Sequence, residues 1–326
     1  PAMTAIRSDE LAAATDVVRQ HMPPTPQYEW PMLSAAAGST VVVKHENHTP
    51  VGAFKVRGGL VYMERLARER PEVTGVLSAT RGNHGQSLAF AGQRYDKQVV
   101  IYVPHGNSVE KNAAMCALGA EVIEHGDDFQ EAREESVRAA TERGLEAVPA
   151  FHRDLVLGVA TYAKELFDGA GALDTVYVPV GMGSGINAVI AVRDLLDLPT
   201  RVVGVVASSA PATQLSFAAG EVVTTATAAT FVDGVACRVP DEVSIAGMVA
   251  GADRIIDVSD EASADAMRLI YRTTHNVAEP AGAIALAGLL SEDPAQRGQR
   301  SAFALCGGNV DTGKLAAVLR GATPTS

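Results

Sequence analysis

Cysteine is scarce in this 326-residue chain. There are three, Cys116, Cys237 and Cys306, widely spaced and in no metal-binding pattern, which excludes a disulfide framework and reads as a reducing, cytoplasmic compartment. Tryptophan occurs once, at Trp30. Basic residues are outnumbered, 27 Lys and Arg against 38 Asp and Glu for a net charge of -11, which excludes a nucleic-acid or anionic-membrane surface. No window approaches the ~18 consecutive apolar residues of a membrane span, and no basic start followed by an apolar run opens the chain. There is also no G-x-x-x-x-G-K-[ST] loop, no internal repeat and no low-complexity linker. The partner these absences leave is a small molecule.

With 47% apolar and 20% charged residues, the chain can build one large domain or two smaller ones, each with its own core. Apolar strands alternate with helical spacing throughout. Strands are expected at 40–43, 74–79, 99–104, 120–123, from 147 onward, 175–180, 201–206 and 301–306. Helices are expected at 8–21, 55–70, 86–95, 110–118, 128–143, 157–167, 185–196, 259–274 and 280–290. Ser8 is the expected cap of the first helix, and Phe129, Ala132, Val137 and Ala140 the inward face of the helix at 128–143. Strands this apolar do not suit a half-exposed sheet and imply parallel strands covered by helices on both faces.

Four polar stretches follow strands, where ligands of open α/β sheets sit. The first, His45 to Gly59, carries Lys55 at a strand-to-helix corner. Burial and the positive end of the helix dipole there make its amine form accessible, the form in which a lysine bonds covalently to a carbonyl. The other reading makes Lys55 and Arg57 ordinary surface cations. Gly181-Met182-Gly183-Ser184-Gly185 lies between a strand and a helix, where converging backbone N–H groups can cradle a phosphate; a glycine cluster can equally be a tight turn. It is not a dinucleotide fingerprint, because it reads G-x-G-x-G and no acidic residue ends a second strand at the required distance. Thr80-Arg81-Gly82-Asn83-His84 offers backbone N–H groups and short polar side chains, or simply a capped helix start with Asn83 bonding its own backbone. Cys306-Gly307-Gly308-Asn309 follows the last strand, and as a generic feature Cys306 is a small core residue.

Together these stretches resemble a known family. VGAFKVRGG resembles the T-G-S-F-K-x-R-G stretch of the fold type II pyridoxal-phosphate enzymes, the group of threonine and serine dehydratases and serine racemase. SATRGNHGQS is similar to their S-x-G-N-H-x-Q loop, PVGMGSGI to their glycine-rich phosphate loop, and ALCGGNVD to their S-G-G-N-x-D stretch. The resemblance implies a tryptophan synthase β-like fold: α/β, with two open, mostly parallel sheets flanked by helices. A small domain, 75–150, would be set into a large one formed by 1–74 and 151–326, and the working form would be a homodimer. It implies pyridoxal 5'-phosphate as cofactor and β-elimination of a β-hydroxy amino acid, such as threonine, serine or phenylserine, to a 2-oxo acid and ammonia. Lys55 would be catalytic and Phe54 would lie against the cofactor ring. Asn83 would bond the ring oxygen, Gly181 to Gly185 the phosphate, and Cys306 would face the pyridine nitrogen, where a weak hydrogen-bonding group favours elimination over transamination. Thr80, Gly82 and His84 would hold the substrate carboxylate.

The chain departs from the family pattern in several places. Arg81 stands where serine racemase has a second proton-donating serine, and its pKa above about 12 makes two-base racemisation a poor fit; it would bind the substrate carboxylate or another anionic group, or else pair at the surface. Gln27-Tyr28-Glu29-Trp30 replaces a T-P-L stretch, so Tyr28 or Trp30 either lines a substrate pocket or packs beneath the N-terminal segment. The aromatics would suit phenylserine and Arg81 would suit hydroxyaspartate, which leaves a hydroxyaspartate ammonia-lyase and a racemase as alternatives. The family's V-G-V-E-P reads Val203-Gly204-Val205-Val206-Ala207 here, and His45 and His48 have no third ligand spaced with them, so no metal is expected. Glu279 is expected to cap the helix after it, with a role near the Lys55 amine as the alternative. The chain ends soon after Asp311, so no regulatory domain and no feedback control are expected.

Overall fold

Period-two alternation along the strands determines the layering. In the strand Arg300–Leu305, Ala302 and Ala304 join one buried cluster while Phe303 and Leu305 join another on the opposite face. A strand buried on both sides needs helices on both sides. The computed structural model, which describes residues 5–325, has this form; positions 1–4 and 326, the ends of the expected large domain, lie outside the described residues.

Among the described residues, ten strands form two sheets: β1 Gln27–Glu29, β2 Thr40–His45, β3 Gly75–Ala79, β4 Gln98–Val103, β5 Glu121–Glu124, β6 Glu146–Ala147, β7 Thr175–Pro179, β8 Arg201–Ala207, β9 Arg254–Val258 and β10 Arg300–Leu305. One sheet has the order β1-β2-β10-β7-β8-β9 and the other β5-β4-β3-β6. Every neighbour pairing is parallel except β1 with β2. The expected α/β class with two mostly parallel sheets is therefore the observed one. The helices Arg153–Ala170 and Ser184–Leu195 cover one face of the larger sheet and Pro280–Ser291 and Asp260–Thr274 the other.

The helix that follows Lys55, Val56–Glu69, crosses Arg153–Ala170 at two glycines. A Cβ on Gly158 would lie 2.2 Å from the Arg57 carbonyl oxygen, and one on Gly58 2.8 Å from that of Leu155. Only glycine permits this approach, which fixes the first turn after Lys55.

Several local expectations are corrected. The first helix, Ser8–Arg19, is capped by Arg7, not Ser8, because Arg7 N–H bonds the Glu10 carboxylate at 2.9 Å. Val137 is exposed, and the buried positions of Phe129–Arg143 include Ser136 and Ala139. Edge strand β1, the helix Pro31–Ala37 and strand β9 were not anticipated. The antiparallel β1 is only three residues long and half to fully exposed, so its alternation signal is weak.

Candidate active site

The corner that carries Lys55 is assembled by backbone bonds to the end of β10. Phe54 N–H donates to the Cys306 carbonyl at 2.8 Å, Gly308 N–H to that of Gly52 at 2.9 Å, and Ala53 bridges Gly307. Thr49 Oγ1 closes the loop by donating to the Ala53 carbonyl at 2.8 Å and accepting from Ala53 N–H at 2.9 Å. Lys55 ends this loop at the start of the helix Val56–Glu69.

Arg57 is not a surface cation. It is completely buried and doubly paired, with Nε 2.8 Å from Glu46 Oε2 and Nη1 2.7 Å from Glu165 Oε1. Lys44 Nζ adds a contact to Glu165 Oε2 at 2.7 Å. This cluster ties β2, the turn Glu46–His48 and the helix Arg153–Ala170 to the first turn after Lys55.

The candidate residues of the four motifs line one cavity of about 100 Å³: Phe54 and Lys55, the stretch Thr80 to His84, the loop Gly181 to Gly185, and Cys306. Lys55 Nζ makes no hydrogen bond or ion pair among the described residues and sits 5.2 Å from the centre of the Phe54 ring. Burial lowers its pKa below the usual lysine value, against the opposing pull of Cys306 and Glu279. His84 is held neutral, at about 3, by burial and then by Lys55, and its Nε2 has no partner among the described residues. Burial pushes the Cys306 thiol well above its usual value, so it stays protonated; it donates to the Ala281 carbonyl at 3.4 Å.

The glycine loop takes the shape its sequence suggests. Gly183 has φ +96° and precedes the helix Ser184–Leu195, and Asn187 Nδ2 pins its carbonyl at 2.9 Å. The first N–H groups of that helix have no intrahelical acceptor. Thr80 Oγ1 accepts from Gly82 N–H at 2.9 Å, which holds the second loop.

Asn83 does not bond its own backbone. Its Nδ2 donates to Glu279 Oε1 at 2.6 Å and its Oδ1 accepts from Asn309 Nδ2 at 3.0 Å. Glu279 makes no side-chain cap bond; its carboxylate turns into the site, 3.0 Å from Lys111 Nζ, which also lies 2.8 Å from Asp233. Lys111, Asp233 and Glu279 are site-lining residues that sequence reasoning missed or misassigned.

Arg81 makes no ion pair among the described residues, and its Nε is buried without a partner. It lines both the inner cavity and an adjoining chamber of about 460 Å³ that shares Phe129, Met182, Asp233, Ala236 and Cys237. Tyr28 and Trp30 line neither space. Tyr28 is exposed, and Trp30 Nε1 donates to His45 Nε2 at 3.0 Å. His48 Nε2 meets Asn276 Oδ1 at 2.8 Å.

A lysine amine without a partner among the described residues shares one cavity with a glycine-rich loop that opens a helix, an arrangement able to bond a carbonyl and to hold a phosphate. Residues 18–307 match the family described as pyridoxal-phosphate dependent enzyme, and the chain belongs to it. The biosynthetic L-threonine dehydratase of Salmonella typhimurium is 33% identical over 291 residues, covering 88% of this chain and 56% of that protein. The chain thus spans about half the length of the curated relatives of that kind. The L-threo-3-hydroxyaspartate ammonia-lyase of a Pseudomonas species is 31% identical over 299 residues, covering 91% and 93% of the two chains. Among solved structures, the processed form of threonine deaminase isoform 2 from Solanum lycopersicum superposes with a TM-score of 0.87 at 28% identity, covering 98% of this chain and 96% of that one.

The residues fit pyridoxal phosphate. Lys55 supplies an amine without a partner among the described residues, its pKa lowered by burial, and two of the cradle's glycines admit no side chain without a shift. A Cβ on Gly183 would lie 2.0 Å from Ser244 Oγ, and one on Gly181 2.5 Å from the Gly234 carbonyl oxygen. No helix among the described residues is long and apolar enough to cross a membrane, and no group of three or more His, Cys, Asp or Glu among them could hold a metal.

Proposed function

We propose that this protein converts a β-hydroxy amino acid to a 2-oxo acid and ammonia by pyridoxal-phosphate dependent β-elimination. The observation that carries the reading is Lys55 Nζ, without a partner among the described residues, in one cavity with the glycine loop, Asn83 and Cys306. When bound, the cofactor supplies an electron sink for charge developing at the substrate Cα.

Lys55 would hold the cofactor covalently and, as the free amine that its burial favours, take the proton from the substrate Cα. Gly181, Met182, Gly183, Ser184 and Gly185 would bind the phosphate through backbone N–H groups. Phe54 would pack on the ring, Asn83 would bond the ring oxygen, and Cys306 would face the pyridine nitrogen as a neutral thiol. Thr80, Gly82 and His84 would orient the substrate carboxylate, His84 as a neutral ring. The same reading takes 75–150 as a small domain set into a large one of 1–74 and 151–326, and the working form as a cytoplasmic homodimer.

A specific observation favours an acidic substrate such as hydroxyaspartate. Arg81 lines both the inner cavity and the larger chamber, and although Asp127, Asp128 and Asp233 line that chamber too, it makes no ion pair among the described residues; a guanidinium binds a second carboxylate through paired N–H groups. The phenylserine reading loses the aromatics proposed for it, since Tyr28 and Trp30 are outside the pocket.

The test is 2-oxo acid and ammonia release from serine, threonine, phenylserine and hydroxyaspartate, in all stereoisomers, with Lys55→Ala as control. Turnover by the parent with a dead, colourless Lys55→Ala supports the reading. Borohydride labelling that persists in Lys55→Ala overturns the lysine assignment. For Arg81→Ala, a raised KM for hydroxyaspartate with KM for serine unchanged supports the acidic substrate; equal changes for both overturn it.

A further inference from the structure

Glu279 has the geometry to fix which end of the Asn83 amide donates and which accepts. It heads the helix Pro280–Ser291 without capping it, and its carboxylate is fully buried. One oxygen accepts from Asn83 Nδ2 at 2.6 Å and the other lies 3.0 Å from Lys111 Nζ. The far end of the Asn83 amide accepts from Asn309 Nδ2 at 3.0 Å, and Asn309 also donates to the Val51 carbonyl at 2.8 Å.

A carboxylate only accepts and an ammonium only donates, whereas an amide has one end of each kind. With Glu279 below its nitrogen and Asn309 at its oxygen, the Asn83 amide cannot turn over without opposing like groups at both ends. One N–H of Nδ2 remains uncommitted. Two glycines make room for this arrangement. A Cβ on Gly307 would lie 2.0 Å from Glu279 Oε1, and one on Gly82 2.4 Å from Lys111 Cδ.

We propose that Glu279 is a positioning residue which, held by Lys111, fixes the Asn83 amide so that its free N–H is presented to the cofactor. This rests on the reading of Asn83 as a cofactor-binding residue. Lys111 is fixed in turn by Asp233 at 2.8 Å, so the arrangement spans the strand end at β3, the helix Val109–Ala117 and the two segments that carry Asp233 and Glu279.

The discriminating variant is Glu279→Gln, which is nearly isosteric. Lys111 can only donate, so the glutamine oxygen must face it and the glutamine NH2 must face Asn83. That inverts the demand on Asn83 and removes its N–H from the cavity. Glu279→Asp is the second variant: it keeps the charge beside Lys111 and withdraws the acceptor from Asn83 by one methylene.

Cofactor affinity would be measured by titrating pyridoxal phosphate into the cofactor-free protein, together with the visible spectrum of the bound form, for both variants, Asn83→Ala and the double variant Asn83→Ala/Glu279→Gln. The expected result is a loss of affinity of about ten- to a hundredfold in Glu279→Gln, the worth of a hydrogen bond to a charged group. A shifted visible spectrum should accompany it, and the double variant should be no weaker than Asn83→Ala alone. Unchanged affinity in whichever Glu279 variant folds, or additive losses in the double variant, would overturn the proposal while leaving Asn83 as a cofactor ligand. Full affinity in Asn83→Ala would overturn the Asn83 reading and this proposal with it.

Discussion

Replacing Arg57 by methionine tests whether the charge cluster beneath Lys55 holds the corner in place. Methionine roughly keeps the volume but leaves the Glu46 carboxylate, itself completely buried, with only the Thr25 hydroxyl at 2.6 Å among the described residues, and takes from Glu165 its contacts at 2.7 and 3.0 Å. Breaking a buried pair from one side costs about 3–5 kcal/mol, because the remaining charge stays desolvated. Glu165 gives a consistent magnitude. Burial opposes its ionisation, yet Arg57 and then Lys44 pull it down to about 2 from the model-compound value of 4.5, which corresponds to about 3 kcal/mol. An unfolding entropy of about 2.1 cal/mol/K per residue gives about 0.7 kcal/mol/K for a chain of this length, so Tm should fall by about 4–7 °C. Thermal unfolding of the cofactor-free protein is the assay, since ligand binding would add its own stabilisation. Adding Glu46→Gln to Arg57→Met should recover part of the loss by removing the stranded charge. A Tm change below about 1.5 °C, equivalent to about 1 kcal/mol, would place the cluster with ordinary surface pairs and refute the reasoning.

Three further outcomes are expected. Because the Glu165 carboxylate is depressed in the folded state, its stabilisation is complete above about 4.5 and lost as pH falls toward about 2; acid unfolding of Glu165→Gln should lack that component, and identical acid limbs would show that it does not exist. Gly183→Ala places a Cβ 2.0 Å from Ser244 Oγ at φ +96°, so cofactor affinity should fall at least about tenfold, and adding Ser244→Ala should restore only part because a left-handed alanine still costs about 1–2 kcal/mol; undiminished affinity in Gly183→Ala would mean the loop is not the cradle. Cys116 is exposed while Cys237 and Cys306 are buried, so a thiol reagent should titrate one cysteine rapidly in the native protein and all three in denaturant, and a second fast thiol would contradict the packing around the site.

The sequence by itself determined the α/β class of parallel strands covered on both faces and the corners where chemistry could sit, while the division into two sheets came from the family resemblance. Those are local properties: apolar runs that must be covered on both faces, glycines at turns with positive φ, and polar loops that follow strands. Lys55, the Gly181 to Gly185 loop, the Thr80 to His84 stretch and Cys306 each announced themselves within about ten residues. The tertiary structure decided what each charge faces. Arg57 looked like a surface cation until Glu46 and Glu165 were brought to it, and Glu279 looked like a helix cap until Asn83 and Lys111 arrived from other segments. Tyr28 and Trp30 looked available for a substrate and pack against each other and His45 instead. Periodicity reports which face of a segment is buried. It carries no record of which distant partner neutralises a buried charge, and that partner determines whether a polar residue packs, caps or lines a site.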